Sequence, residues 1–459
     1  MKGARGPSRP PARRPSRGPS PEPRGRKPIA AATARPPREL SLGTLALWAL
    51  LLVPPFLVMA AKDSFRLPKL MVSEWLALLS LLFLAWQIRR VERVRLADLW
   101  RLPALRAILP FLLVATLGSL ATDHPFHVRE ALADLWIGAA CLVGWSVGLP
   151  PGRLERLLQG LLWPASGLAL LGILQFHGIL QPLQLYGVGY DPRLSLTSMA
   201  GNPGDLGAYL ALPCLIAQWL LARGSAGARA RWGVMAALGL CLYALLLTRT
   251  LAALAALGLG SLIFWGLRLS RRRAVLLLAG GAAFTAVLVL AVPPLRERVF
   301  EKVDQARQGQ LNAVLTGRLD GWNAALWMLR ENPWTGVGHG AFRPEYVPAK
   351  LALLDRGVEF YSQQVLVVFA NAHNEYLEVG ADSGWPGLLA LGWGLWTLGV
   401  TLRRRAAGDA AFAWAGVAAL AVLSLAFFPF RIALVAFPAL LFLAWTLRPV
   451  RPLPEEEEA

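Results

Sequence analysis

The chain has 459 residues, of which 55% are hydrophobic and 16% are charged, and its mean hydropathy is +0.46. Charged residues make up about a quarter of a soluble domain, so this composition excludes an ordinary soluble protein and predicts a polytopic membrane protein. The net charge is +19, but 11 of the basic residues lie in the first forty positions and most others lie between apolar runs. This distribution indicates membrane orientation and argues against nucleic-acid binding.

Residues 1–40 are rich in Pro, Arg, Gly and Ser, which predicts a disordered basic tail in the cytoplasm. Residues 41–447 are predicted to form an all-α transmembrane domain, and the acidic residues 448–459 are predicted to form a second cytoplasmic tail. Within the domain, about twelve apolar runs have the length needed to cross a bilayer. These runs lie at 43–62, 71–88, 104–121, 132–148, 157–177, 206–222, 232–248, 250–267, 274–293, 384–402, 411–427 and 432–447.

With the N-terminus in the cytoplasm, every arginine cluster between these runs falls on the cytoplasmic side, as the positive-inside rule requires. The clusters are Arg89, Arg90, Arg93 and Arg95; Arg153 and Arg156; Arg223, Arg229 and Arg231; Arg268 and Arg271 to Arg273; and Arg403 to Arg405. The same alternation places a long, polar, partly helical loop, residues 294–383 between the ninth and tenth runs, on the opposite face. In a bacterial inner membrane that face is the periplasm.

The centres of the apolar runs carry almost no ionisable side chains, whereas transporters and proton pumps place such groups near the bilayer midplane. This omission favours an enzyme that acts on a lipid-linked substrate at the membrane surface over a transporter. Cys141, Cys214 and Cys241 fall inside the runs, and the histidines of the long loop lack metal-ligand spacing. We therefore expect neither a metal site nor a cofactor.

Two short stretches on the predicted periplasmic face are candidate ligand sites. Asn202, within Gly201–Asp205, precedes an apolar run, where backbone can approach a ligand; a plain turn into a helix is the alternative. Arg249 lies between two apolar runs with hardly any loop, so its guanidinium must reach the interface from a tight hairpin. It can extend towards lipid headgroups or hold an anionic group through paired donors.

The long loop contains a predicted amphipathic helix that begins near Arg318, with Thr316 as its cap. Leu319, Trp322, Leu326 and Leu329 are predicted to form its apolar face. Arg318 then lies in the first turn, where the helix dipole disfavours a cation, which hints at a ligand-binding task. A salt bridge to Asp320 or Glu297 is the alternative.

His373 is the candidate general base of the loop. Asn371 or Asn374 can cap a helix that runs from there to Gly384, and an imidazole at a solvated helix start stays neutral near physiological pH. A general base needs that state, although a lone histidine is also often structural. His339 competes for the role, but the glycines around it indicate a turn.

The chain contains His373-Asn374, nine further residues and then Gly384-Trp385-Pro386-Gly387. With this pattern it resembles the O-antigen ligase and O-antigen polymerase superfamily of bacterial envelope glycosyltransferases, whose signature is His-Asn-x9-Gly-x-x-Gly. Arg318 with Trp322 and the block 332–342, Asn-Pro-Trp-Thr-Gly-Val-Gly-His-Gly-Ala-Phe, are similar to the family's loop motifs. Arg249 matches the family's arginine after the seventh span. Gly201-Asn202-Pro203 matches the family's Gly-Asn-Pro-Asn segment, with Gly204 in place of the last Asn.

The resemblance implies an inverting, metal-independent transfer from an undecaprenyl-diphosphate-linked glycan to an acceptor hydroxyl, in a fold similar to the GT-C class of membrane glycosyltransferases. His373, Arg318 and Arg249 are the implied catalytic residues, with the arginines on the diphosphate. The implied substrate-binding residues are Asn202, Asp320, Trp322, His339, Asn374, Glu375 and Tyr376.

The implied partners are the lipid-linked donor, membrane lipids and a glycan acceptor. Ligation to lipid A core at the periplasmic face of the inner membrane is the preferred reading, because the ligase-type signature is complete. Polymerisation of O-antigen or exopolysaccharide and transfer to protein hydroxyls remain open, as does a transporter of lipid-linked glycans.

Overall fold

The computed structural model describes residues 42–59, 63–89, 100–182, 192–224, 227–291, 293–361 and 368–449. The tail predicted at 1–40, the basic residues Arg90, Arg93 and Arg95, and most of the acidic tail lie outside the described residues. Over the described ranges the chain is helical and has no strand, which confirms the all-α class.

The first half of the described chain forms nine helices. They are α1 (Leu42–Leu52), α2 (Arg66–Arg89), α3 (Pro103–Gly118), α4 (Pro125–Gly148), α5 (Pro151–Gly160), α6 (Leu162–Phe176), α7 (Pro192–Ser195), α8 (Pro203–Arg223) and α9 (Ala228–Thr248). The second half forms nine more. They are α10 (Leu251–Arg268), α11 (Arg271–Ala291), α12 (Pro293–Arg307), α13 (Leu311–Val314), α14 (Arg318–Glu331), α15 (Phe342–Asp355), α16 (Glu375–Arg403), α17 (Ala407–Ala426) and α18 (Ala433–Leu447). Short 3-10 turns follow α1, α3 and α17, at Pro54–Phe56, Ser119–Ala121 and Pro429–Arg431.

Eight helical segments within the described residues are long and apolar enough to cross a membrane. They are Arg66–Trp86, Pro103–Ala121, Pro125–Gly148, Pro151–Phe176, Pro203–Arg223, Ala228–Thr248, Leu251–Arg268 and Ala407–Ala426. The chain is thus a multi-pass membrane protein. The predicted runs at 274–293 and 384–402 fall on α11 and α16, which are not among the eight, so the number twelve stays a prediction.

Helix α8 lies at the centre of the helical bundle and is buried along most of its length. Trp219 near its end stacks on Phe412 of α17, with ring centroids 4.6 Å apart. Gly260 of α10 lets that helix approach α17, because a Cβ added there would lie 3.0 Å from the carbonyl oxygen of Ala415. Small residues commonly permit such close helix packing in membranes.

Contacts at the two ends of α8 agree with the predicted alternation of connections. At its C-terminal end, the Arg223 guanidinium pairs with Glu155 at 2.9 Å and with Asp409 at 3.1 Å, and all three residues belong to connections predicted to be cytoplasmic. At its N-terminal end, Asp205 pairs with Arg66 at 2.9 Å, and both belong to connections predicted on the opposite face.

The predicted orientation leads to a labelling experiment with single introduced cysteines. Gln308, in the long loop, and Ser270, between α10 and α11, are both exposed, whereas the native Cys141, Cys214 and Cys241 are buried and should stay silent. A membrane-impermeant maleimide applied to intact cells with a permeabilised outer membrane should label Gln308→Cys and should label Ser270→Cys only after lysis. The reverse pattern would invert the orientation.

Candidate active site

The turn at residues 372–374, called the His373 turn below, is fixed by the side chains of Asn374 and Glu378. Asn374 caps α16, because its Oδ1 accepts hydrogen bonds from the backbone N–H groups of Tyr376 at 3.0 Å and Leu377 at 3.1 Å. Glu378 reaches back from the helix and accepts the N–H of Ala372 at 2.9 Å. His373 itself has φ +55°, a left-handed conformation that is uncommon outside glycine. Of the two predicted cap candidates, Asn374 is the one that caps the helix, and the turn holds the imidazole in one place.

The imidazole of His373 is half-buried between two aromatic rings. The centroid of the imidazole ring lies 5.7 Å from that of Phe369 and 4.9 Å from that of Phe428. Both ring pairs meet edge to face. Burial first, and then the positive charges of Arg318 and Arg66, lower the pKa of His373 to about 4. The lowered pKa agrees with the neutral imidazole expected from the sequence, but its cause is enclosure and two guanidinium groups, and the role of general base stays a prediction. The imidazole lies next to the start of α16, as predicted, but it is less exposed than a fully solvated position would be.

Arg318 opens helix α14, as predicted, and lies in its first turn. The predicted cap is wrong: Gly317 is the N-cap residue at φ +80°, and no side chain caps this helix. Thr316, at φ +57°, and Gly317 instead close the preceding short helix α13, so neither is extended as a side-chain cap requires. Arg318 is half-buried, and burial lowers its pKa. Within the described residues, its buried Nε makes no hydrogen bond.

The buried face of α14 combines small residues with Met328 and Leu329, so the predicted apolar face is confirmed at Leu329 and wrong at Leu326. Leu326 is 38% exposed, whereas Gly321, Ala324 and Ala325 are buried. A Cβ added at Gly321 would lie 3.0 Å from the carbonyl oxygen of Ala372, so the helix backbone approaches the His373 turn directly. This close packing brings the helix that carries Arg318 against the turn that carries His373.

Asp320 and Trp322 lie on the same helix with different surroundings. The buried Asp320 carboxylate accepts hydrogen bonds from Asn312 Nδ2 at 2.6 Å and from the N–H of Tyr361 at 2.9 Å. It therefore ties the start of α14 to the segments on either side. Trp322 is half-buried, and its Nε1 has no hydrogen-bond partner within the described residues.

The glycines of the signature allow two backbone segments to touch. Gly384 interrupts α16 with φ +63°, and a Cβ there would lie 2.5 Å from the carbonyl oxygen of Pro333. The N–H of Trp385 donates to that same oxygen at 2.8 Å, and the N–H of Val337 donates to the Ala381 carbonyl at 2.9 Å. Gly336, also at positive φ, packs on the backbone of Asp382, because a Cβ there would collide with the Asp382 carbonyl group. The kink of α16 and the turn at 332–340 thus form one unit, and the predicted turn is confirmed.

His339 is enclosed within this unit. The backbone N–H of His339 donates to Ser119 Oγ at 2.9 Å. Its imidazole ring meets the Phe111 ring edge to face, with 6.1 Å between centroids, and its Nδ1 lies 3.7 Å from Asp382 Oδ2. Burial, and then the charge of Arg431, lower the pKa of His339 to about 3. Its contacts are with Phe111, Ser119 and Asp382, whereas the rings that pack on His373 are those of Phe369 and Phe428.

Arg431, in the connection between α17 and α18, is at the centre of a buried ion network that the sequence analysis did not single out. Its Nη2 lies 3.1 Å from Glu378 Oε1 and 3.0 Å from Asp382 Oδ2. Burial raises the pKa of Asp382 to about 6, against the opposing effect of Arg431. The available signal was weak: two acids four residues apart on α16, and one arginine in a short apolar connection.

Removing the charge of Arg431 should destabilise the fold. We expect Arg431→Met to cost about 3 to 5 kcal/mol, because it leaves the Glu378 and Asp382 carboxylates buried without their partner. The melting temperature in detergent measures the loss, and Arg356→Met, at an exposed ion pair with Glu331, is the matched control. Adding Glu378→Gln and Asp382→Asn to Arg431→Met should recover part of the stability, and equal stability of all variants would contradict the network.

Glu375 and Tyr376 also attach α16 to α17 and to the 3-10 turn that follows it. Glu375 Oε1 accepts the N–H of Phe430 at 3.2 Å, and the Tyr376 hydroxyl donates to the carbonyl oxygen of Ala421 at 3.0 Å. Burial raises the pKa of Glu375 to about 7, while the nearby Arg431 opposes the shift.

Arg249 lies in the predicted tight hairpin between α9 and α10, at φ +50°. The hairpin packs on the start of α8, where Thr250 Oγ1 donates to the carbonyl oxygen of Pro203 at 3.3 Å. Asn202 caps α8, because its Oδ1 accepts the N–H of Asp205 at 2.8 Å. The two sequence candidates Asn202 and Arg249 are therefore neighbours in the fold.

Arg66 joins this pair to the His373 turn and was not among the predicted site residues. Its guanidinium donates two hydrogen bonds to the Asp205 carboxylate, from Nε at 2.9 Å and from Nη2 at 3.0 Å. The guanidinium carbon Cζ of Arg66 lies 5.7 Å from the centroid of the Phe428 ring. Phe428 in turn packs on His373. A continuous chain of contacts thus runs from the Arg249 hairpin through Asp205 and Arg66 to His373.

The fold and this cluster define a class of protein: a multi-pass membrane protein whose arginines and one enclosed histidine gather where helix ends meet. A family model described as O-antigen ligase matches residues 236–392, which include Arg249, Arg318 and His373. The match confirms the resemblance to the O-antigen ligase and polymerase superfamily, and it implies a glycosyltransferase-like enzyme. No curated protein matches the chain. Arg66, Asn202, Phe428 and Arg431 lie outside the matched residues.

Proposed function

We propose that this protein transfers a glycan from undecaprenyl diphosphate to an acceptor hydroxyl at the periplasmic face of the inner membrane, with the lipid A core as acceptor. The observation that carries the proposal is the His373 turn, where an imidazole kept neutral by enclosure lies within electrostatic reach of Arg318 and Arg66. The family match supports glycosyl transfer of the O-antigen ligase and polymerase type.

In the proposed reaction, the acceptor oxygen attacks the anomeric carbon while His373 takes its proton. The bond between that carbon and the phosphate oxygen breaks on the opposite face, and its electron pair leaves with the diphosphate. The products are the glycosylated acceptor with inverted configuration, undecaprenyl diphosphate and a protonated His373, which releases its proton to solvent.

Arg318 and Arg249 have the task of stabilising the charge that grows on the leaving diphosphate. A guanidinium suits this task because its parallel N–H donors match phosphate oxygens. The buried Nε of Arg318, without a hydrogen-bond partner in the described part of the chain, is consistent with a ligand-facing group. Arg249 is held by the hairpin that packs on α8.

The other predicted substrate-binding residues receive three different assignments. Asn202, Asn374, Asp320, Glu375 and Tyr376 use their side-chain atoms in caps and ties, and we propose that they shape the site. Trp322 has an indole N–H without a partner in the described ranges, and we propose that it contacts the glycan. His339 is enclosed by the α16 kink and is assigned a supporting role.

The experiment that tests the function is reconstitution in nanodiscs with an undecaprenyl-diphosphate-linked glycan. Three acceptors are offered separately: lipid A core, a second lipid-linked repeat and a protein with exposed hydroxyls. Transfer to lipid A core alone supports ligation, transfer to the repeat indicates a polymerase, and transfer to protein indicates an oligosaccharyltransferase. Movement of the intact lipid-linked glycan across a bilayer without transfer would replace the proposal by transport.

A further inference from the structure

We propose that Arg298 of α12 binds the phosphate group that carries the polyprenyl chain of the lipid carrier, next to Arg318, which takes the phosphate attached to the sugar. This inference rests on the proposed function, and it extends the anion-binding surface to a helix that carries none of the signature motifs. Its basis is a row of three cations, Arg298, Lys302 and Arg318, called the cation row below.

The cation row runs along one face of α12 to the start of α14. Arg298 and Lys302 are four residues apart, so their side chains leave the same face of α12. The Lys302 ammonium donates to the carbonyl oxygen of Ala313 at 2.7 Å. Arg318 Nη1 donates to the carbonyl oxygen of Leu315 at 3.5 Å. The cations of α12 and α14 therefore meet at the end of the short helix α13.

The charges of the cation row repel one another. Burial lowers the pKa of Lys302, and Glu301 opposes this shift. The charges of Arg298 and Arg318 lower the pKa of Lys302 further. Like charges four residues apart on one helix are destabilising, so the placement of Arg298 and Lys302 opposes local stability. A bound phosphate would supply the negative charge that this row attracts.

Two donors of the cation row have no protein partner. The Nε atoms of Arg298 and Arg318 are both buried, and neither makes a hydrogen bond within the described residues. A buried N–H without an acceptor costs free energy, and such groups in proteins are normally paired. Both arginines are half-buried, so their side chains are not sealed inside the protein. Because guanidinium donors match phosphate oxygens, the row has the chemistry of a phosphate site.

The position of α12 selects the phosphate that Arg298 contacts. Helix α12 begins at Pro293, shortly after α11, which contains one of the apolar runs predicted to cross the membrane. Arg298 is five residues further on, or about 8 Å along the helix. Arg318 instead lies within electrostatic reach of His373, the proposed base. The phosphate that carries the polyprenyl chain stays at the membrane surface, which suits Arg298, whereas the phosphate next to the sugar lies at the reacting centre.

Binding of two lipids that differ by one phosphate tests the assignment. The probes are undecaprenyl phosphate and undecaprenyl diphosphate, titrated separately into purified protein in phosphatidylcholine nanodiscs. Arg298→Gln should weaken the binding of both about tenfold or more, because hydrogen bonds to a charged group are lost. Arg318→Gln should weaken the binding of the diphosphate more than that of the monophosphate, because the monophosphate lacks the group that Arg318 contacts. Loss of diphosphate binding alone in Arg298→Gln would overturn the assignment of the two phosphates.

Arg296→Gln is the matched control on the same helix. Arg296 is exposed and lies two residues from Arg298, on the opposite face of α12. This control should leave both affinities unchanged. Equal losses in the two variants would indicate a general attraction of α12 to anionic lipid and would overturn the site. If the difference between wild type and Arg298→Gln disappears in phosphatidylglycerol nanodiscs, bulk headgroups occupy the site and the assignment to the carrier is overturned.

Transfer kinetics supply the second readout. In Arg298→Gln the KM for the donor should rise while the KM for the acceptor stays constant. A rise confined to the acceptor would assign Arg298 to an anionic group of the acceptor and overturn the inference. Arg298→Lys should have an intermediate effect, since an ammonium keeps the charge without the paired donors, and it decides the question if Arg298→Gln does not fold.

Wild-type affinity for both lipids in every folded Arg298 variant overturns the inference. Failure of the wild type to transfer to any acceptor would instead overturn the proposed function. The two failures are distinguishable, because the lipid titrations test Arg298 without any transfer reaction.

Discussion

His373→Ala should lower the transfer rate about a hundredfold to ten-thousandfold, the usual cost of losing one general base. The protein should remain folded and membrane-inserted, because the His373 turn is held by Asn374 and Glu378 through bonds that do not involve the imidazole. The measurement is single-turnover transfer by the purified variant, together with its melting temperature in detergent.

The control for His373→Ala is His177→Ala. His177 is also at a helix end predicted on the outer face, where its Nε2 contacts the Tyr243 hydroxyl at 2.8 Å. This control should retain transfer. Near wild-type turnover by the His373 variant would remove it from the mechanism and make His339 the next candidate.

The pH dependence of the wild-type enzyme follows from the same group. Since the pKa of His373 is lowered to about 4, the base is already deprotonated above that pH, and the acid limb of kcat/KM should lie near pH 4 and not near 6.5. The stability of the fold should also fall at acid pH. A histidine with a depressed folded pKa stabilises the fold above pH 6.5, and this contribution is lost as the pH falls towards 4.

Arg318→Lys and Arg249→Lys should each lose much of the transfer activity although the positive charge is kept. An ammonium cannot reproduce two parallel donors, and loss of one pre-organised donor typically costs about a hundredfold to a thousandfold in kcat. Donor affinity and single-turnover rates in nanodiscs measure the effect, with chelator present throughout.

The matched control for the two arginines is Arg356→Lys, because Arg356 is exposed and pairs with Glu331 at 3.7 Å. Exposed ion pairs contribute only about 0 to 1 kcal/mol, so this change should be nearly silent. Wild-type kinetics in both site variants would rule out a diphosphate clamp. Activity abolished by chelator in the wild type would show that a metal supplies the charge assigned to the arginines.

Local patterns in the sequence were sufficient for features that depend on neighbouring residues. The Asn374 cap, the Arg249 hairpin and the turn around His339 each follow from a few adjacent side chains, and the structure contains all three. The all-α membrane class follows from the lengths of the apolar runs. Glycines of the signature were recognised by resemblance, and their physical reason is the contact between Gly384 and Pro333.

Features that depend on distant partners were not visible in the sequence. Arg66 and Asp205 are 139 positions apart, so the first had the appearance of one more interfacial arginine. Arg431 is 49 positions from Asp382. The predicted apolar face of α14 was confirmed at Leu329 but was wrong at Leu326 for a related reason: part of the partner surface is the backbone of the His373 turn, which favours Gly321 over a large side chain.

The cluster around His373 is assembled from both halves of the chain. Arg66, Asp205 and Arg249 come before the connection at Leu269–Ser270, while Arg318, His373 and Phe428 come after it. A break at that connection would give one piece with the Arg66 and Asp205 ion pair and another with His373. Neither piece, nor a fragment limited to 236–392, would contain all the residues of this cluster, and reassociation of the two halves would be required to rebuild it.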